Sequence, residues 1–401
     1  MNRERSPMFQ RQLFGWAFTI VLLTSSLRAQ EAVIGSRGGF AGQPTQATHV
    51  LTGHKHAVHA VAISPDMKTI VSGGGEIKLP NFGKPGQPQT INIKDAAKSA
   101  SGEGLIWDVK TAKRRSLLQP PPGRISGLAF NHDGKVIGGT LEKSPLAGNQ
   151  TQIPTVVFWD AKNGKAGKPY LGLNAPKALS FSEDGKLVVV AGGFRDPDLI
   201  TTGPLGQNAL VKNPKHGNVI RLLQIPALTV RQQIDIESKT LGVALYADSH
   251  FVAYNVDQAV YVFVIETGKE QVVIPNAPFG NMQISPDGKV LAILGEQLSQ
   301  KHALQLFSME TGAAIGAPAY VDSTWSRAFA FSPDSQQLAI ATCWADDENL
   351  ICLWSIPKRQ VTARFVGHED HVSSLAFARD GSFLVSGSLD KTVRIWKLKP
   401  E

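Results

Sequence analysis

The stretch GHEDHVSSLAFARDGSFLVSGSLDKTVRIW, residues 367–396, decides the fold. It opens on Gly367-His368 and runs through the apolar segment Val372–Phe377. It turns at Asp380-Gly381, returns through Leu384-Val385-Ser386-Gly387-Ser388, and closes on Val393-Arg394-Ile395-Trp396. Short runs rich in β-branched and aromatic residues, separated by Asp and Gly, read as strands joined by tight turns. Asp bonds its own backbone at such a turn, and Gly tolerates left-handed φ there.

Working outward, the same turn recurs. Ser64-Pro65-Asp66, Asn131-His132-Asp133-Gly134, Ser182-Glu183-Asp184-Gly185, Tyr246-Ala247-Asp248-Ser249, Ser285-Pro286-Asp287-Gly288 and Ser332-Pro333-Asp334-Ser335 precede Ala378-Arg379-Asp380-Gly381. Each is followed by an apolar strand and then by a third strand ending in a large apolar residue, such as Trp107, Phe158-Trp159, Phe263, Phe307, Trp354 or Trp396. A fourth strand is expected after each, with Gln271–Ile274 and Val361–Phe365 as candidates. Seven units of four short antiparallel strands make an all-β fold, a seven-bladed β-propeller.

The unit at 367–396 resembles a full WD40 repeat. The first unit is similar in its opening, with Gly53-His54, Val58, Val61-Ala62-Ile63 and Val71-Ser72-Gly73. The resemblance extends over residues 48–399, strongest in the first and last units and weakest in the third and fourth. It implies that His368, Ser386, Asp390 and Trp396 form a buried structural network. The His donates to Asp390, and the Ser links it to the indole. His54, Ser72 and Trp107 repeat part of that network, with the acid displaced by an insertion. A Ser-His-Asp triad is the competing reading, disfavoured because the trio is a repeat feature. The last unit stops after three strands, so Thr48-His49-Val50-Leu51 is expected to pair beside Val393–Leu398 and close the ring.

Insertions break the pattern at Gly73–Gly104, Leu141–Pro154, Gly192–Gly217 and Trp344–Asn349. All fall between second and third strands, hence on one face. Phe194, Arg195, Asp196, Asp198, Trp344, Asp346, Asp347 and Glu348 are the candidate partner-binding residues; drift of weakly constrained loops is the alternative. Cys343 and Cys352 flank one of these hairpins, as a disulfide or as two packed thiols. Two cysteines in 401 residues exclude a disulfide framework and any four-Cys metal centre. His56 and His59 are the only weak metal candidates in the dense histidine group at 49–59, and no metal site, catalytic residue or cofactor is expected.

The net charge is +8, but four basic residues and one acid lie in the first 30, leaving 37 basic against 32 acidic beyond them. Lys113-Arg114-Arg115 is the longest basic run. That is too little for a phosphate-tracking surface, so no nucleic-acid partner is expected.

Arg3, Arg5 and Arg11 precede an apolar stretch from Leu13 to Leu23, followed by a polar exit to Ala29. This is the pattern of a cleaved signal peptide, residues 1–29, and such a stretch is too short to span a ~30 Å bilayer core. An uncleaved anchor is the alternative, since Leu27 is not a small residue. No stable membrane insertion is expected after cleavage. Residues 30–47, rich in Gly, Ala, Gln and Thr, read as a flexible leader.

The domain layout is thus 1–29 signal, 30–47 leader and 48–399 propeller. The expected protein is secreted or periplasmic, is not an enzyme, and serves as a scaffold binding other proteins. The alternative is a ligand-binding, metal-binding or enzymatic propeller with its site at the channel mouth.

Overall fold

A computed structural model of the chain describes residues 33–34, 42–77, 100–121, 123–143, 155–171, 173, 175–195, 216–236, 243–246, 251–256, 259–296, 302–321, 328–343 and 349–398. Every regular element among them is a strand. Three short strands come first: β1 (Val33–Ile34), β2 (Thr45–Gln46) and β3 (His49–Leu51). Blade 1 is β4 (Val58–Ile63), β5 (Thr69–Ile77), β6 (Ala100–Asp108) and β7 (Lys113–Leu117). Blade 2 is β8 (Arg124–Phe130), β9 (Val136–Glu142) and β10 (Val156–Asp160). Its outermost strand is reduced to two bridges, Val156 to Tyr170 and Trp159 to Ala166. Gly167 and Pro169 lie between those bridges, and neither residue favours a continuous ladder.

Blade 3 is β11 (Ala175–Phe181), β12 (Leu187–Arg195), β13 (His216–Gln224) and β14 (Thr229–Ile236). Blade 4 is β15 (Val243–Leu245), β16 (Phe251–Val256), β17 (Ala259–Val264) and β18 (Lys269–Pro275). Blade 5 is β19 (Phe279–Ile284), β20 (Val290–Glu296), β21 (His302–Ser308) and β22 (Ala319–Val321). Blade 6 is β23 (Phe329–Phe331), β24 (Gln337–Cys343), β25 (Asn349–Ser355) and β26 (Gln360–His368). Blade 7 is β27 (Val372–Phe377), β28 (Phe383–Ser388) and β29 (Val393–Lys397), completed by β3.

The core is not one body but seven wedges, each between successive blades. Val58, Val61, Ile70, Leu105 and Trp107 of blade 1 pack with Val385, Val393 and Ile395 of blade 7. Equivalent clusters fill each of the other six interfaces. Four tryptophans, Trp107, Trp159, Trp354 and Trp396, are almost fully buried in them. The wedge arrangement follows from the sequence: both faces of each blade meet a neighbour, so the middle strands are apolar on both sides. The innermost strands line a central channel, and β27 touches β4 across the seam between last and first blades.

The seam is held by the opposite end of the chain. Leu51, Val50 and His49 of β3 pair antiparallel with Val393, Arg394 and Ile395 of β29. The stretch 30–47, expected as a flexible leader, instead contributes two strands. Val33 and Ile34 pair parallel with Tyr320 and Val321 as a fifth strand of blade 5. Thr45 and Gln46 pair parallel with Phe365 and Val366 as a fifth strand of blade 6. Two forces account for this. The pairing satisfies open edge amides and carbonyls, and Ile34 is fully buried in the wedge between blades 5 and 6. The expected signal segment, residues 1–29, lies outside the described residues.

Because Leu51 is buried while Val50 beside it is 46% exposed, the two substitutions should separate. Leu51→Ala should lower stability by about 2–5 kcal/mol, and Val50→Ala should stay within about 0.5 kcal/mol. Urea titration of the two variants checks this.

Candidate functional site

Two four-residue polar networks stand in blades 1 and 7. His368 at the end of β26 reaches into blade 7, its Nδ1 2.7 Å from Asp390 Oδ2 and its Nε2 2.7 Å from Ser386 Oγ. The Trp396 indole N–H donates to the same Ser386 oxygen at 2.8 Å. A carboxylate can only accept, so Nδ1 carries the ring proton. Nε2 then accepts from the serine hydroxyl, whose oxygen accepts from the indole. Burial holds the His368 pKa below its ordinary value, against the raising effect of Asp390. The neutral ring that this wiring requires is therefore the favoured one.

Blade 1 repeats the wiring. His54 Nε2 lies 2.6 Å from Ser72 Oγ, and the Trp107 indole donates to that oxygen at 2.7 Å. The acid is Glu103, which the sequence reading did not single out. Its Oε2 lies 3.1 Å from His54 Nδ1 and accepts from the Lys55 backbone N–H at 2.9 Å. The Asp390 Oδ2 likewise accepts from the Glu369 N–H at 3.1 Å. The long insertion moves the acid from a hairpin tip onto β6, opposite Gly74. The longer glutamate then reaches the ring. An acid between two glycines inside the strand, four positions before the tryptophan, was the available signal. Both Gly-His pairs place the glycine at φ +138°, a conformation that side chains rarely adopt. At Gly367 a Cβ would also meet the Arg394 guanidinium.

The His-Ser-acid order imitates a catalytic triad, but Ser72 and Ser386 are fully buried and already accept an indole proton. A nucleophile needs access to its substrate, so these networks are structural.

The insertions leave from equivalent hairpins. Residues 78–99, 144–154, 196–215 and 344–348 lie between the second and third strands of blades 1, 2, 3 and 6. Asp196, Asp198, Trp344, Asp346, Asp347 and Glu348 fall outside the described residues. Phe194 and Arg195, expected in a loop, instead extend β12, pairing with Gly217 and His216 of β13.

The two cysteines are not brought together. Cys343 pairs with Asn349, whereas Cys352 pairs with Ile340. Three register steps at ~3.4 Å put their Cα atoms roughly 10 Å apart, beyond the ~7 Å a disulfide spans. Cys352 is a buried free thiol with its pKa pushed up to about 11 by burial. Of the histidines considered as ligands, His56 Nδ1 lies 3.9 Å from Glu76. His59 is held to a pKa of about 4, chiefly by burial and next by Arg124. The described residues contain no group of three that could hold a metal.

The turns between first and second strands face away from the insertions, at the other end of each second strand. In five of them a serine or asparagine anchors the turn and the Asp accepts from the backbone two residues on, as at Asp66 and Lys68. The residue after the Asp takes left-handed φ, as at Met67, Gly134 and Gly185. These turns surround one mouth of the channel, a cavity of about 590 Å³ to which all seven blades contribute. Its collar is apolar: Ile63, Phe130, Phe181, Phe331 and Phe377. Its rim carries the exposed side chains of His132, Glu183 and Arg379. Nearer the insertion face the channel turns polar, with Ser126, Lys177, Asn281, Gln283, Ser373 and Ser374 around about 350 Å³.

Comparison with known proteins agrees with this geometry. Residues 45–77 and 359–397 match the family model of the WD domain, G-beta repeat. Those segments cover blade 7, the first two strands of blade 1 and the outer strands β26 and β2 of blade 6. A periodic tryptophan protein 2 homolog of Neurospora crassa is 54% identical over 48 residues, 12% of this chain and 5% of that protein. Its counterpart from Schizosaccharomyces pombe is 46% identical over 59 residues, 15% of this chain and 7% of the relative. Protein groucho of Drosophila melanogaster is 32% identical over 123 residues, 30% of this chain and 15% of groucho. The chain thus spans a small fraction of the length of these curated relatives. It carries WD40 repeats on a seven-bladed propeller.

Two outcomes follow from the networks. Ser386→Ala leaves a buried imidazole nitrogen and a buried indole N–H without partners, and should cost about 2–3 kcal/mol. Separately, His54, His59 and His368 all have pKa values lowered in the folded state by burial. Their unfolded values lie near 6.5, so the unfolded chain binds more protons below that pH. Their contribution to stability is full above about 6.5 and is lost as pH falls toward the folded values, about 4 for His59. The urea midpoint should therefore be lower at pH 5 than at pH 7.5, with a shallower dependence in His59→Gln.

Proposed function

We propose that the chain is a non-catalytic protein-interaction scaffold, exported by way of residues 1–29, that docks a segment of a partner protein at the turn-face mouth of its channel. The observation that carries this reading is the composition of that mouth. Equivalent turn positions of all seven blades converge on it, and they present apolar side chains inside a polar rim that includes His132, Glu183 and Arg379. Such a cleft buries side chains of a docked segment while a few charges fix its orientation. The resemblance to WD40 propellers, which mostly serve as protein-binding scaffolds, supports it, as fold-level analogy. The basic residues and apolar run of the first 23 positions support export. A ligand-binding or catalytic mouth would need converging acids or imidazoles; the described lining offers one of each, Glu183 and His132.

Affinity capture with the purified chain tests the reading. A bound protein should be retained by the unaltered chain and weakened at least about tenfold, roughly 1.4 kcal/mol, by the exposed pair Glu183→Lys and Arg379→Glu. Equal retention would remove the mouth as the docking site, and no retained protein would remove the scaffold reading. Mass spectrometry of the mature N-terminus should find a start at Gln30; an intact Met1 in the native protein would overturn export.

A further inference from the structure

We propose that the outer edge of blade 1 accepts an extended acidic segment of a partner protein as a fifth β-strand. This rests on the reading of the chain as a protein-binding propeller and adds a second surface, with the chemistry of its ligand. Blade 1 ends at β7, whose sequence is Lys113-Arg114-Arg115-Ser116-Leu117 and which among the described residues pairs only with β6. Among those residues its other side carries open backbone donors and acceptors. The same chain already shows what such edges take up: the edges of blades 5 and 6 each receive a short parallel strand, β1 and β2.

The charge of this edge selects its guest. The turn of blade 2 at residues 160–165 packs directly against the end of β7. The Arg115 guanidinium donates to the Ala161 carbonyl at 2.8 Å, and the Gln119 N–H donates to the Gly164 carbonyl at 2.8 Å. That contact sets the turn that carries Lys162 and Lys165 beside the edge that carries Lys113 and Arg114, and these four and Lys110 are all exposed. The two carboxylates nearest them in sequence, Asp108 and Asp160, are engaged by their own turns, accepting from Thr111 and from the Lys162 and Asn163 backbone. Among the described residues none of these five cations is in an ion pair. Leu117, at 54% the most exposed large apolar side chain described, sits at the end of the strand.

Lysine on an edge strand is a common guard against edge-to-edge pairing. Two features exceed that role. The edges of blades 3 and 4 mix charges, with Arg231 and Asp235 on β14 and Lys269 and Glu270 on β18. Lys162 and Lys165 are not on the edge at all, so guarding it does not call for them. A basic edge repels neutral and basic strands and admits an acidic one, and that discrimination gives it specificity. Carboxylates on alternate residues of an added strand would face the cations while the backbone completes the ladder.

The probe is a labelled ten-residue peptide alternating Glu and Val, read by fluorescence anisotropy with the full chain. Binding should weaken at least about tenfold in the exposed double variant Lys113→Glu, Arg114→Glu, and should fall with added salt. A peptide of the same sequence with alternate backbone nitrogens methylated keeps its charge and loses the ladder, and should bind at least about tenfold more weakly. Equal binding of the methylated peptide would overturn strand addition, and insensitivity to the charge reversal would overturn the site. Phosphatidylglycerol vesicles that sediment the chain and displace the peptide would identify a membrane surface instead and overturn the proposal. A chain that captures a partner through the channel mouth yet ignores the peptide overturns this proposal alone and leaves the scaffold reading intact.

Discussion

Everything in this molecule depends on the seam between its last and first blades. Each of the other interfaces joins blades adjacent in sequence, where connecting segments bring the faces together. The seventh joins residues more than three hundred positions apart, and loop closure on that scale carries an entropic cost that its contacts must overcome. Three kinds of contact concentrate there. The backbone ladder of β3 on β29 completes the last blade. The wedge around Leu51, Val58, Trp107 and Val393 supplies burial. Hydrogen bonds then cross the interface directly, from Ser373 Oγ to the Val58 carbonyl at 2.5 Å and from the Val61 N–H to Ser374 Oγ at 3.1 Å.

The two histidine networks stand at the seam and beside it. The His54 network lies at the seam, where Trp107 packs between blades 7 and 1, and the His368 network lies one interface away, where Trp396 packs between blades 6 and 7. A polar network tolerates one geometry: the indole, hydroxyl, imidazole and carboxylate must all be in reach, or a buried group is left unpaired. The match of Glu103 to Asp390 shows how firmly this is held. Side-chain length, strand position and sequence spacing all differ, yet each carboxylate oxygen meets both a histidine Nδ1 and a backbone N–H.

The fold was largely legible in the sequence because its signal is repeated and local. The Asp turns mark each hairpin, and the expected completion of the last blade by residues 48–51 is met by β3. What escaped is non-local or set by backbone detail. β1 and β2 are two residues each, too short to show a strand period, and they exist only through distant edges. The strand register that sets Cys343 opposite Asn349 and Cys352 opposite Ile340 depends on the length of the hairpin between them, which the insertion alters. Glu103 was hidden by the insertion, which disrupts the spacing that a repeat comparison uses. The channel mouth could be anticipated as a location, but its apolar collar could not, since that depends on where each inner strand ends.

Away from the seam the chain uses a different solution. Blades 3 and 4 lack the Gly-His pair, and their shared wedge is apolar and aromatic, with Tyr254 stacked on Tyr261 and Phe263 at centroid distances of 5.7 and 5.4 Å. Apolar packing stabilises by area and is only weakly directional, so by itself it specifies register poorly. In blade 4 register is already set by hairpins that join adjacent strands through short turns, such as Ile265–Gly268 between β17 and β18. At the seam no such turn exists between β29 and β3, and a slip of one residue would reverse the face that Leu51 presents. The His54 network, whose Trp107 lies in that wedge, supplies there a directional constraint that apolar packing alone does not.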